Sequence, residues 1–434
     1  MGNKTVKDIN LTGKRVLLRA DYNLPVRQAG VPDIESDYRI KQSIPTIRHI
    51  LKHKPELLVI ISHLGRPKGV NSKLSLQPIA RHLSRLLDRR VYFVDDCIGN
   101  EVKKTVARLK DGDILLLENL RFHAGEEKNS PEFAKALVEA TGAEAFVQDG
   151  FGVVHRAHAS TDAITKLLPA VAGLLLQTEV ETITRVMKNP EHPLVAVIGG
   201  AKIGDKLEVM NRLIELADCV AVGGAMANNF LKIKGYSIGR SLYDKDDLKL
   251  AREALSKAEA KAKKRAFSFL LPVDVVVSES VDGRAPTRIV DLASHTLSDI
   301  EAYPKTPKPS AYTVDHNEVI VDIGPVSAAR IAGIIGLAKT VIWNGALGVT
   351  ETRGIAGAHA PFAHGTSVVA EAMIGPHNKH PIKPFSFVGG GDTVGYVEAE
   401  GLVDDFDHVS TGGGASLELM AGKKLPGIEA LMDS

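Results

Sequence analysis

Cationic and polar side chains recur in this sequence directly after short apolar runs, and their placement is its most informative chemical feature. Arg19-Ala20-Asp21-Tyr22-Asn23 closes the first run, with Arg39 shortly after, and Ser62-His63-Leu64-Gly65-Arg66-Pro67 closes the second. Glu118-Asn119-Leu120-Arg121-Phe122-His123 follows a later run, and Asp149-Gly150-Phe151-Gly152 leads into His155-Arg156-Ala157-His158. An isolated Arg is usually a surface residue, and a lone His is more often structural than catalytic. Arginines gathered at one cleft, however, repel one another unless an anion lies among them. Guanidinium groups make paired hydrogen bonds to phosphate and carboxylate oxygens, so the expected ligand is small and multiply negative. Asp21 and Asn23 add an acceptor and a mixed donor–acceptor for hydroxyl groups.

The second half has glycine where the first has arginine. Its run ends read Gly199-Gly200-Ala201-Lys202, Gly223-Gly224-Ala225-Met226 and Asn344-Gly345-Ala346-Leu347-Gly348. Gly389-Gly390-Gly391-Asp392-Thr393 and Gly412-Gly413-Gly414-Ala415-Ser416 follow. Missing Cβ atoms let backbone N–H groups approach phosphate oxygens, and a following helix N-terminus adds a favourable dipole. One such loop serves tight turns equally well; several in one half favour a nucleotide. No GxxxxGK[ST] is present, which excludes a P-loop, and no GxGxxG opens a helix after the first run, which argues against a dinucleotide oxidoreductase. Lys202 and Lys206 are expected on one face at the start of a helix. Cations there oppose the helix dipole, and a bound anion would justify them. Asp392, after three glycines, is placed like a magnesium-linked carboxylate, since magnesium takes one or two protein carboxylates plus nucleotide phosphates.

The elements that must carry these residues are short and rich in Val, Ile and Leu. The runs Val16–Arg19, Leu57–Ser62, Val91–Val94, Ile114–Leu117 and Ala145–Val147 form one group; Leu194–Ile198, Cys219–Val222, Phe269–Val277, Val341–Trp343 and Phe385–Val388 form another. They read as strands buried on both faces. Their alternation with helical stretches such as Leu76–Leu87 and Lys206–Ala217 predicts βαβ units and parallel sheets. Between the groups, Val171–Lys188 has helical spacing and Asn189-Pro190 reads as its stop, so a helix joining two α/β domains is expected. Asp282–Asn317 reads as irregular surface, and the charged run Lys257–Arg265 as a solvated helix face.

At 434 residues the chain suggests two or three domains. The net charge of +2 supplies no basic field that would argue for nucleic acid, so any anion site is local. Cys97 and Cys219, the two cysteines, have no metal-ligand spacing and imply no disulfide framework, which suits a reducing compartment. Met1–Asn10 is polar and no apolar stretch approaches membrane-spanning length, so no membrane partner and a cytoplasmic location are expected.

The runs RVLLRADYNLPV, SHLGRPKG, LLLENLRFHAGEE, QDGFGVVHRAHAS, IGGAKIGDK, WNGALGVTE, FVGGGDTVG and HVSTGGGASLELMAGKKLPGIEAL together resemble the phosphoglycerate kinase family, in that family's order, from about Arg15 to Leu431. The resemblance implies an α/β fold of two Rossmann-like domains, each with a mainly parallel sheet, joined by a helix, with a C-terminal tail returning to the N-terminal domain. The implied divisions are 1–170 for the domain binding 3-phosphoglycerate or 1,3-bisphosphoglycerate, 171–189 for the linker helix, 190–409 for the nucleotide domain and 410–434 for a hinge segment and tail. Carried over, Asp21, Asn23, Arg39, His63, Arg66, Arg121 and Arg156 bind the acid, with His155 and His158 in the same basic region. Gly200, Lys202, Asp205, Lys206, Gly224, Asn344, Glu351, Gly391, Asp392 and Thr393 serve ADP or ATP, with Glu351 at the ribose and Asp392 at Mg2+. Gln148, Ala225 and Ala346 stand where the family commonly has Asn, Gly and Pro, none of them touching an expected phosphate ligand. His316–Val321 replaces a Gly-Trp-Met-like run, which loosens the expected base preference.

The implied chemistry is in-line phosphoryl transfer, in which positioning and charge stabilisation do the catalysis. Arg39 and Lys202 are assigned to that charge, assisted by Lys206 and by backbone N–H groups at Gly391 and Gly413. No general base is needed, because the attacking oxygen is already ionised. Domain closure about Val171–Lys188 and Ser410–Gly414 is expected to exclude water. A monomer acting on small molecules is implied. An NAD-dependent dehydrogenase would show the missing fingerprint, and a sugar-phosphate binding protein would not need Lys202, Lys206 and Asp392.

Overall fold

The structure, a computed structural model, describes residues 2–25, 32–34, 36–292, 312–352, 360–375 and 383–433. The chain folds as two compact units, Met1–Thr184 with Thr411–Ser434, and Arg185–Ser410. In the first unit the apolar runs become strands, because β-branched and aliphatic side chains pack well on a pleated surface covered on both sides. They are β1 (Arg15–Arg19), β2 (Leu57–Ile61), β3 (Val91–Val94), β4 (Asp113–Leu117), β5 (Ala145–Gln148) and β6 (Ala170–Ala172). All pair in parallel, in the order β3-β4-β2-β1-β5-β6. Every residue of β2 is buried. Each such aliphatic side chain stabilises by roughly 1.5–3 kcal/mol relative to exposure, so one charge placed in β2 would unseat the sheet.

The second unit repeats the plan with β7 (Leu194–Ile198), β8 (Cys219–Val222), β9 (Ser268–Leu270), β10 (Asp274–Ser278), β11 (Thr287–Asp291), β12 (Val319–Ile323), β13 (Thr340–Asn344), β14 (Phe385–Gly389) and β15 (His408–Val409). Six form a parallel sheet in the order β15-β14-β13-β7-β8-β9, and β11-β10-β12 form a small antiparallel sheet. In both large sheets the chain turns back at the middle: β1 lies between β2 and β5, and β7 between β8 and β13. Such switch points open a crevice beyond the strand ends, where open parallel sheets bind ligands.

Several expectations need correction. Phe269–Val277 is not one strand: Pro272, which lacks an N–H donor, separates β9 from β10, and the two enter different sheets. The linker helix does not begin at Val171, because Ala170–Ala172 pairs with β5 as β6 and the helix runs Leu174–Lys188. That helix starts in the first unit and ends in the second. Its first N–H groups are satisfied from outside: Leu174 N–H donates to Thr46 Oγ1 at 3.0 Å, and Leu175 and Leu176 donate to Asp149 Oδ1 at 3.0 and 3.3 Å. Asp282–Asn317 is not wholly irregular, since it contains β11; positions 293–311 lie outside the described residues. Lys257–Arg265 lies largely on the helix Asp247–Ala262, though Lys261 caps the neighbouring helix Leu207–Leu216 by donating to the carbonyls of Ile214, Glu215 and Ala217.

The tail returns to the first unit. Lys4 N–H donates to Met432 O at 2.8 Å, Gly427 N–H to Val154 O at 2.9 Å and Met432 N–H to Ala170 O at 3.0 Å. No described helix is long and apolar enough to cross a membrane.

Candidate active site

The crevice beyond β1 and β5 is built from charged side chains. Asp21 and Asn23 follow β1, and the helix Tyr38–Lys52 supplies Arg39 in its first turn. Arg39 Nη1 donates to Asp21 Oδ2 at 3.2 Å and to Asn23 O at 3.0 Å, and Asn23 Oδ1 accepts from Gly65 N–H at 2.8 Å. Arg121 Nη1 donates to Gly65 O at 2.7 Å, and its Nε lies 3.2 Å from Glu127. His63 follows β2 and is buried; its Nδ1 is 3.2 Å from Arg19 Nη2. A guanidinium can only donate, so Nδ1 is the acceptor and the ring proton sits on Nε2. Arg156 Nε donates to His155 Nε2 at 3.2 Å. Arg66 is exposed and has no bonding partner among the described residues.

This crevice is electropositive. Burial first, then Arg19, Arg121 and Arg39, hold His63 well below the usual imidazole range. Burial, Arg121, Arg19 and Arg156 push His158 down to about 4, and burial and Arg156 lower His155. Neutral imidazoles among guanidinium groups are what a cationic cradle leaves before an anion enters. His155 Nδ1 and His158 Nδ1 are buried without hydrogen-bond partners among the described residues. Beneath them lies a pair that the sequence did not single out. Arg19 and Glu126, both fully buried, are 3.7 Å apart, and Ser160 Oγ accepts from Arg19 Nε at 2.8 Å while donating to Glu126 Oε1 at 2.6 Å. This buried pair fixes His63 from below.

The crevice beyond β7 and β13 is built from backbone. Gly200 and Gly345 adopt φ of +99° and +103°, where only glycine is at ease. A Cβ on Gly345 would run into Lys206 Nζ and the Gly199 backbone. Lys206 Nζ donates to Gly199 O at 2.6 Å and to Asn344 O at 3.3 Å, the two carbonyls at the switch point. Burial lowers its pKa to about 8, against the opposing pull of Asp392 and Asp205. Lys202 and Lys206 do not share a helix face. A 3-10 turn, Gly204–Lys206, intervenes before the helix Leu207–Leu216, leaving Lys202 exposed while Lys206 folds back over the strand ends. Thr393 Oγ1 accepts from Gly345 N–H at 2.6 Å, and both side-chain amide atoms of buried Asn344 lack partners among the described residues. A cleft of about 190 Å³ opens beside these loops, lined by Gly200, Gly224, Leu231, Ile320, Val321 and Leu347, with Glu351 and Asp392 at its edge. Ala346 also lines it, and its carbonyl accepts from Gly200 N–H at 2.9 Å, so this departure from the family pattern does touch an expected nucleotide residue.

A family model described as phosphoglycerate kinase matches residues 6–423. The chain is 43% identical to the phosphoglycerate kinase of Moorella thermoacetica over 434 residues, covering 100% of both. It is 42% identical to that of Pelotomaculum thermopropionicum over 434 residues, again covering 100% of both. Among solved structures, phosphoglycerate kinase from Coxiella burnetii superposes with a TM-score of 0.76 at 35% identity, covering 99% of this chain and 98% of that one. The Pyrococcus horikoshii enzyme gives 0.80 at 30% identity with the same coverage. The chain belongs to the phosphoglycerate kinase family. It is therefore a kinase that transfers a phosphoryl group between 1,3-bisphosphoglycerate and ADP, a step of glycolysis.

Within this phosphoglycerate kinase fold, Asp21, Asn23, Arg39, His63, Arg121, His155, Arg156 and His158 all belong to the first unit, as does Gly413, the residue before the helix Gly414–Met420. Gly200, Lys202, Asp205, Lys206, Gly224, Asn344, Glu351, Gly391, Asp392 and Thr393 all belong to the second. Asp392 lies exposed in the first turn of the helix Gly391–Ala399, with no hydrogen-bond or ion-pair partner among the described residues. A free carboxylate oxygen is the hard donor that Mg2+ prefers, so the residue fits the metal.

Proposed function

We propose that the β1/β5 crevice binds 3-phosphoglycerate or 1,3-bisphosphoglycerate and the β7/β13 crevice binds MgADP or MgATP. One observation carries this reading: the same switch point occurs twice, lined once by guanidinium and imidazole groups and once by glycine backbone with, among the described residues, a single inward lysine. Arg121, Arg156, His155 and His158 hold the acid's phosphate, Asp21 and Asn23 its hydroxyl, and Arg66 closes the exposed side. His63 donates from Nε2, the tautomer that Arg19 sets. Gly391 presents its backbone N–H to nucleotide phosphates, Gly200 and Gly224, whose own N–H groups bond the carbonyls of Ala346 and Leu347, leave room for the phosphates to approach, Lys206 meets them from below, and Glu351 meets the ribose. Leu231, Ile320 and Val321 sandwich the base. Asp392 would hold Mg2+, which supplies charge neutralisation for the nucleotide phosphates when bound.

Arg39 and Lys202 stabilise the transferring group, assisted by Lys206 and backbone N–H groups at Gly391 and Gly413. Asp21 keeps the Arg39 guanidinium aimed, and Lys202, exposed and unpaired among the described residues, is free to move onto the phosphoryl oxygens. The nucleophile is an ionised phosphate or carboxylate, so the imidazoles bind rather than transfer protons. A monomer working in the cytoplasm completes the reading. A coupled assay supplying 3-phosphoglycerate and MgATP tests it. Turnover that needs both substrates and magnesium is expected; turnover independent of 3-phosphoglycerate would overturn the assignment of the first crevice.

A further inference from the structure

The ends of β3 and β4, at the edge of the first sheet, bring together three side chains that the transfer reaction does not use. A carboxylate oxygen of Asp96, the sulfur of Cys97 and a ring nitrogen of His123 all lie within 4.8 Å of one another. We propose that Asp96, Cys97 and His123 form a divalent transition-metal site of the zinc type, tying the loop after β3 to the loop after β4.

The donor set chooses the metal. A thiolate, an imidazole and a carboxylate, with water as a fourth ligand, suit zinc or cobalt and not magnesium or calcium, which take oxygen alone. Bond lengths of about 2.0–2.3 Å in a tetrahedral site put ligand atoms roughly 3.5 Å apart, so closing the cluster takes small side-chain rotations. Cys97 is fully buried and its thiol is free, so it forms the floor. The side chains of His123 and Asp96 are 31% and 45% exposed, so they form the mouth through which an ion enters.

The ligands are already braced. Asp96 Oδ1 accepts from Cys97 N–H at 2.7 Å and Ile98 N–H at 3.4 Å. The His123 ring stacks on Phe133 with centroids 5.3 Å apart and planes at 28°. His123 Nε2 lies 2.8 Å from Asp96 Oδ1, and the metal takes the place of the proton they share. On binding, that proton moves to Nδ1 by tautomerisation and the Cys97 thiol releases its own to solvent. Burial and the carboxylates of Asp96, Glu126 and Glu118 hold the thiol proton in place in the metal-free protein. The same carboxylates favour a cation beside the sulfur once it arrives.

Titration of the full-length, chelator-stripped protein with CoCl2 tests the proposal. One cobalt ion per chain should bind, with a near-ultraviolet sulfur-to-cobalt charge-transfer band and the visible bands of four-coordinate cobalt; ZnCl2 should displace it. Cys97→Ser should abolish the charge-transfer band, His123→Ala should weaken cobalt at least about tenfold, and Cys219→Ala should change neither. Circular dichroism establishes that each variant is folded. Absence of the band at hundredfold excess of CoCl2 overturns the site, as does its survival in Cys97→Ser or its loss in Cys219→Ala. Should Cys97→Ser fail to fold, folded His123→Ala decides: wild-type cobalt affinity there equally overturns the proposal.

Discussion

The two crevices share a topology and almost nothing else. Beyond β1 and β5, the crevice is lined by long side chains that brace one another, as Arg39 does on Asp21 and Arg121 on the Gly65 carbonyl. Beyond β7 and β13, side chains withdraw: glycines at φ of +99° and +103° shape the loops, and Lys206, folded inward, is tied to two strand-end carbonyls. On the proposed assignment, ligand size explains the contrast. A three-carbon acid has few atoms, each of which needs a dedicated partner, so charge must be brought to it. A nucleotide lays a chain of phosphates along a surface, and backbone N–H groups at helix starts serve that chain without the self-repulsion of many cations. Charge placed by side chains can be removed one group at a time, whereas charge placed by backbone cannot. The two crevices should therefore fail in different ways.

The largest expected effect is on turnover. Arg39→Ala should lower kcat at least ~10²-fold, by comparison with other lost transition-state contacts, while calorimetry finds ADP affinity unchanged. Equal weakening of ADP would place Arg39 with the nucleotide and break the comparison. Next, Asp392→Ala should weaken MgADP about tenfold, or 1.4 kcal/mol, and leave metal-free ADP alone. Equal loss in both titrations would make Asp392 a brace for its loop.

The third effect is a slope. Burial holds Lys206 at about 8 in the free protein, and phosphates bound beside it raise that value. The bound state then keeps a proton that the free protein sheds, so affinity falls as pH rises. Measured against Lys206→Met, in which the ligand's own phosphate titrates equally, metal-free ADP should show constant relative affinity below about pH 7 and lose it towards tenfold per unit above 8. Lys206→Met should flatten the profile; an unaltered slope would remove Lys206 from the phosphates. The smallest effect lies in the first crevice. Burial, Arg121, Arg19 and Arg156 hold His158 at about 4, and a bound phosphate pulls it upward, so the complex takes up protons. Affinity for 3-phosphoglycerate should rise as pH falls, and His158→Asn should trim that rise by about twofold between roughly pH 7 and 6. The ligand's own phosphate titrates equally in both proteins, so the difference isolates the histidine.

Much of this was legible in the sequence because parallel sheets write themselves as apolar runs and put their chemistry at the run ends. All the runs of the first group form strands, and the cationic and glycine-rich termini fall in separate units, save Gly412-Gly413-Gly414, which belongs to the first. What was not legible is short or topological. Ala170–Ala172 and His408–Val409 are too brief to show alternation, and the apolar run Phe269–Val277 hides a change of sheet at Pro272. Glu126 lies on a four-residue helix with no periodicity to say that it faces inward beneath Arg19. The spacing of Lys202 and Lys206 suggested one helix face, and a 3-10 turn undid it. Cys97 and Cys219 show no ligand spacing between them; Asp96 and Cys97, adjacent in the chain, meet His123 because β3 and β4 are neighbours in the sheet.

The central claim is that each ligand belongs to one crevice, and amide hydrogen exchange read by mass spectrometry tests it most directly. With 3-phosphoglycerate alone, protection should appear in peptides spanning positions 19–23, 62–66, 119–123 and 149–158. With MgADP alone, it should appear in those spanning 199–206, 223–226, 344–351 and 389–393. Protection of 389–393 by 3-phosphoglycerate alone, or of 149–158 by MgADP alone, would contradict the account.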